Sequence, residues 1–112
     1  MTTRKLVEYL DESGTSLFGK WLSKLDATAA ARVTTSLYRL EQGNFSNTKS
    51  VGKGIYEYKV DFGPGYRIYF GQDGEVLVIL LNGGTKKRQN VDIKRAQALW
   101  KDYKIRKKHI GN

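Results

Sequence analysis

Three apolar runs joined by turns too short to hold a helix constrain this chain most. They read "IYEYKVD" (55–61), "YRIYF" (66–70) and "EVLVILL" (75–81), separated only by "FGPG" and "GQDG". A parallel pairing needs a crossover of a dozen residues or more, whereas tight turns rich in glycine, proline and aspartate make hairpins. These runs are therefore read as neighbouring antiparallel strands, the last apolar enough to be buried on both faces.

The flanks have a different texture. Lys5 to Leu10 alternates weakly, a first strand broken by "DESGTS". Leu17, Phe18, Trp21, Leu22 and Leu25 recur at helical spacing, which predicts a helix over Leu17–Leu25. Asp26 is placed to cap a second helix with the apolar line Ala30, Val33, Leu37 and Leu40, stopped by Gly43. "NFSNTKSVGKG" reads as loop, and so does Asn82–Gln89, with Gly83-Gly84 as a sharp turn. Asn90 can cap a last helix through Ile93, Ala96, Leu99, Trp100 and Tyr103, and Lys104–Asn112 reads as a flexible basic tail.

The expected architecture is one α+β domain over residues 1–112. It has a mostly antiparallel four-stranded sheet, an N-terminal helical hairpin and a C-terminal helix. A chain of 112 residues can bury such a core without disulfides, and this one has no cysteine. The helices are expected on one sheet face, leaving the other open.

Strand alternation assigns residues to those faces. Tyr66, Ile68 and Phe70 belong with the helices, which turns Arg67 and Tyr69 outward. Tyr56, Tyr58 and Val60 form one set of the preceding strand, and Glu57 and Lys59 share the outward face with Arg67. Lys86, Lys87 and Arg88 lie past the last strand, where a short loop can fold them over the same rim. Convergent cations without an acid cluster suit a phosphate, because guanidinium donates in a planar fork and a lysine among cations can move a proton. The alternative is a plain polar surface on which Glu57 pairs with Lys59.

Charge is distributed unevenly. Residues 1–81 hold ten Lys/Arg against nine Asp/Glu, whereas residues 82–112 hold ten against two. The C-terminal third thus suits a polyanion or an acidic partner, with Lys94, Arg95 and Lys104 as further RNA contacts beside Lys87, Arg88 and Tyr69. No carboxylate pair stands out, no metal-ligand cluster appears, and neither metal nor cofactor is expected. His109, the one histidine, is expected to face solvent in the tail. "NGGTKKRQ" lacks P-loop spacing. The longest apolar run, Val76–Leu81, is too short for a membrane span, and with no leader-like start the expected location is the cytoplasm.

"GPGYRIYF" followed by "LLNGGTKKRQNVDIKRAQALW" resembles the RelE/ParE toxin superfamily, most closely its HigB-like branch of addiction module killer proteins. Gly63, Pro64, Gly65, Tyr66, Arg67, Tyr69, Leu80, Leu81, Gly83, Gly84, Lys86, Gln89, Asp92, Ile93 and Ala96 carry the match. The resemblance implies a RelE-like fold and the toxin of a type II toxin–antitoxin pair. It implies an endoribonuclease that cuts messenger RNA on the ribosome without metal, the RNA's own 2′-hydroxyl attacking the adjacent phosphate. Arg67 then grips that phosphate, with Lys59 and Lys86 completing the catalytic set. The implied partners are the ribosome, messenger RNA and a cognate antitoxin of helix-turn-helix type, with no membrane. The chain departs from many relatives by Ile93 where a tyrosine is common, and by Lys59 where arginine is common. Two other readings share the fold or the charge: a ParE-like DNA gyrase inhibitor, and an RNA-binding module without chemistry.

Overall fold

The computed structural model describes residues 3–110, with no side-chain detail for His109 and Ile110; the expected exposure of His109 falls outside it. The order of elements is β1 (Lys5–Glu8), α1 (Leu17–Ser23), α2 (Ala27–Glu41), β2 (Thr48–Ser50), β3 (Ile55–Val60), β4 (Tyr66–Asp73), β5 (Leu77–Thr85), a 3-10 turn (Lys86–Arg88) and α3 (Gln89–Ile110). The five strands form one mixed sheet in the order β1-β5-β4-β3-β2. β1 runs parallel to β5, and the other pairings are antiparallel.

The hairpin core forms as its turns require, but the sheet is larger and less uniform than expected. The fifth strand, β2, comes from the segment read as loop. "TKS" has no apolar alternation, because it is an edge strand largely in solvent. β5 extends through Gly83 and Gly84, so these glycines are strand, not turn. Their smallness serves close approach instead. A Cβ at Gly83 would collide with the Trp21 ring, and one at Gly84 with the Asp92 carboxylate.

The two N-terminal helices are shorter than a simple hairpin suggests. α1 is capped by Ser16, whose Oγ accepts from the Gly19 N–H at 2.9 Å. Asp26 caps α2 by accepting from the Ala29 N–H at 2.8 Å. α1 packs mainly on β5, whereas α2 packs on α1, β1 and β3 alike.

The central correction concerns the open face, which does not exist as such. Phe18, Val33, Leu40, Tyr58, Ile68 and Phe70 form the core beneath α1 and α2. On the opposite face α3 lies across the sheet, with Ala96 and Trp100 packed against Ile55, Tyr69, Ile79 and Leu81. An apolar stripe on α3 has to be buried somewhere, and the first face is already filled by two helices. α3 continues past Tyr103 through Ile110, across residues read as tail. Two polar contacts fasten that stretch: Arg106 donates to the Leu10 carbonyl, and Lys107 Nζ to Asp73 at 2.5 Å. No helix among the described residues is long and apolar enough to cross a membrane.

Candidate functional site

The α3 face changes character along the strands. Near its middle, Gly71 admits the Trp100 ring, which would collide with any Cβ there. One row further along, Glu57, Tyr69 and Asn82 stand side by side on β3, β4 and β5. The last row places Lys59 opposite Arg67, and Arg67 opposite Gly84. The N-terminal turn of α3 covers the Glu57 row, whereas the Lys59–Arg67 row borders an open cleft.

Arg67 is held from two sides. Its Nη1 donates to the Gly65 carbonyl at 2.8 Å. The same carbonyl accepts the Lys86 backbone N–H at 2.9 Å. Gly65 makes this bracket possible: its φ is +77°, and a Cβ would stand 3.0 Å from Arg67 Nη1. Lys86 is thereby seated beside Arg67 by backbone geometry, whatever its own flexible side chain does. On the other side Glu57 Oε1 lies 3.7 Å from Arg67 Nε, and Glu57 Oε2 accepts from Gln89 Nε2 at 2.8 Å. Arg67 is only 6% exposed and Glu57 2%, so the pair is a desolvated one.

This buried polar layer is incompletely satisfied. Arg67 Nε, Tyr69 Oη, Asn82 Oδ1 and Asp92 Oδ2 are buried without a hydrogen-bond partner. Such atoms normally find partners, because an unmade buried hydrogen bond costs about 1–3 kcal/mol. Burial pushes the Asp92 carboxyl above the ordinary carboxylate range, against the pull of Arg88 and Arg95. Burial, reinforced by the Glu57 carboxylate, raises the Tyr69 phenol.

The cleft beside Arg67 has a volume of about 290 Å³ and is lined by Asn47, Lys49, Glu57, Lys59, Asp61 and Arg67, with Ser46 and Thr48. Lys59 is not paired with Glu57, as a plain surface would have it. Its Nζ lies 3.3 Å from Asp61, on a half-exposed side chain. Among the described residues no cluster of histidine, cysteine and acids could hold a metal ion.

Of the residues marked out by the sequence, Lys59 and Arg67 line one cleft, and the Lys86 backbone is seated beside Arg67. Lys87 and Arg88 are exposed on the same 3-10 turn, Arg88 Nε standing 3.9 Å from Asp92. Lys94 and Arg95 are exposed one turn into α3. Lys104 lies elsewhere, 5.8 Å from the Trp100 ring and beside Gln72 and Asp73 at the far end of β4. Five residues of strand, roughly 17 Å, separate that end from Arg67. Tyr69 is on the expected face but fully buried beneath α3 and presents no surface to RNA, which corrects its expected role as an RNA contact. Arg67 faces the expected side but is embedded rather than displayed.

Glu57, Asn82, Gln89 and Asp92 complete the layer, and sequence reasoning gave none of them a role. The available signals were a carboxylate between two tyrosines and an asparagine directly after six apolar residues. Both are polar side chains on strands otherwise destined for the core.

Residues 20–104 match the family described as "Phage derived protein Gp49-like (DUF891)". The chain is also 48% identical over 86 residues to an uncharacterized protein of Haemophilus influenzae, covering 76% of this chain and 87% of that one.

Proposed function

The chain belongs to the Gp49-like family, a RelE-like toxin family of toxin–antitoxin systems, and on that premise we propose that it is a ribosome-dependent messenger-RNA endonuclease of HigB type. Membership implies an antitoxin partner. In our reading that partner carries a helix-turn-helix domain and the toxin works in the cytoplasm.

One observation carries the reading: the Arg67 guanidinium and the Lys86 backbone N–H share the Gly65 carbonyl, with Lys59 in register across from Arg67 at the mouth of a cleft. Three cations at one rim suit a phosphodiester, whose scissile phosphate gains charge on its outer oxygens as the reaction proceeds. Arg67 binds those oxygens, oriented by Gly65 and Glu57 so that it need not reorganise. Lys59 and Lys86 stabilise the charge that develops and relay protons. The 2′-hydroxyl loses its proton and attacks phosphorus, and the bond to the 5′-oxygen breaks. That oxygen takes up a proton, leaving a 2′,3′-cyclic phosphate and a 5′-hydroxyl. Lys87, Arg88, Lys94 and Arg95 supply salt-sensitive attachment to RNA.

A gyrase inhibitor would have no need of a nucleotide-sized cleft bordered by Lys59 and Arg67. The two readings separate on expression of the chain without a partner. The endonuclease predicts growth arrest with loss of full-length messages only while they are translated. Intact messages together with accumulating cleaved DNA would transfer the protein to the gyrase reading.

A further inference from the structure

A second groove opens from the first. It has a volume of about 140 Å³, lies between α2 and β3, and shares Asn47, Lys59 and Asp61 with the cleft beside Arg67. Its far wall is α2, which contributes Arg32 and Arg39. Both arginines are exposed, and they stand seven residues apart, two turns, so they share one helix face. Arg32 rests over the Phe62 ring at 4.8 Å, a cation–π contact that fixes its direction along the groove wall.

We propose that this groove carries the RNA strand away from the scissile phosphate, with Arg32 and Arg39 as backbone contacts. The inference rests on the endonuclease reading and names where its substrate runs. Charge complementarity supports it. The continuous surface holds Arg32, Arg39, Lys59 and Arg67 against Glu57, which is turned to Arg67, and Asp61, which is paired with Lys59. The spacing agrees as well. Seven residues of helix span about 10 Å, the rise of roughly three stacked nucleotides. The charge count along the chain conceals this, because α2 lies in its near-neutral part, yet the fold turns two of those arginines onto one path.

The test is messenger-RNA cleavage on programmed ribosomes across a salt series, comparing wild type with Arg32→Ala/Arg39→Ala, Arg32→Lys/Arg39→Lys and, as a control at the opposite edge of the sheet, Lys5→Ala. The alanine pair should raise the ribosome concentration for half-maximal cleavage roughly tenfold and lower the salt slope by about one to two. Its single-turnover rate at saturation should stay within about twofold of wild type, and the lysine pair should restore binding. Lys5→Ala should change the half-maximal concentration much less. An unchanged half-maximal concentration and slope would overturn the groove. So would a loss confined to the saturating rate, or an effect confined to neutralisation by antitoxin, which would assign the groove to that protein. Absence of cleavage by wild type would instead overturn the endonuclease reading. In that case ribosome co-sedimentation over the same salt series decides the groove, equal binding by wild type and the alanine pair refuting it.

Discussion

The two faces of the sheet are built on different terms. The face under α1 and α2 is apolar throughout, from Phe18 and Leu40 to Ile68 and Phe70. The face under α3 is apolar only around Trp100; toward the helix N-terminus it gives way to Glu57, Tyr69, Asn82 and Asp92, with several polar atoms unpartnered. The first face holds the fold together. The second sacrifices some of that stability to support Arg67, as functional sites commonly do. Substitutions on the two faces should therefore differ in size, and at two positions in sign.

The largest effect is expected on the apolar face. Phe70→Ala removes a buried ring stacked on Tyr56 with centroids 5.7 Å apart. It should lower unfolding free energy by about 3–5 kcal/mol in denaturant titration. A loss below about 1 kcal/mol would mean that this face is not the principal core.

On the polar face, Asp92→Asn should stabilise the protein by about 1 kcal/mol at neutral pH. The effect has a definite pH dependence. Burial raises the folded-state pKa of Asp92, so wild type binds its proton more readily folded than unfolded. The associated stability is fully present below the unfolded pKa and is lost as pH rises through the folded one. The variant's advantage should thus be greatest near neutrality and shrink on acidification toward pH 4. An advantage that is constant or grows with acid would show that Asp92 carries no such penalty.

The smallest effect is that of Tyr69→Phe. Its hydroxyl lacks a close hydrogen bond but lies near the Glu57 carboxylate, so deleting it should leave stability within about 1 kcal/mol of wild type or raise it slightly. A loss above about 1.5 kcal/mol would reveal a hydrogen bond to that oxygen and make the two faces more alike.

The same contrast explains what could be read from the sequence. Alternation in "YRIYF" and "IYEYKVD" assigned every side chain to the correct face, because strand period depends only on local geometry. Caps at Asp26 and the helical spacing of Leu17–Leu25 located α1 and α2 for the same reason. The covering of the second face was not legible, since nothing local says which side of a sheet a terminal helix will cross. Arg67 and Tyr69 were consequently pointed outward correctly and buried unexpectedly. β2 was missed because an edge strand needs no apolar pattern, and β5 was cut short because Gly83 and Gly84 imitate a turn. That Lys59 and Arg67 border one cleft was legible, as they face each other across neighbouring strands. The layer of Glu57, Asn82, Gln89 and Asp92 behind them was not, because it is assembled from two strands and a helix.

The most direct measurement is single-turnover cleavage of messenger RNA on programmed ribosomes at saturating protein, comparing wild type with Arg67→Gln. Glutamine keeps a donor and most of the volume beside Glu57, and a thermal melt establishes that the variant is folded. The account predicts a rate lower by roughly 10²–10³-fold with ribosome binding unchanged, the loss expected when one preorganised donor to the developing charge is removed. A folded variant that cleaves at the wild-type rate would contradict it.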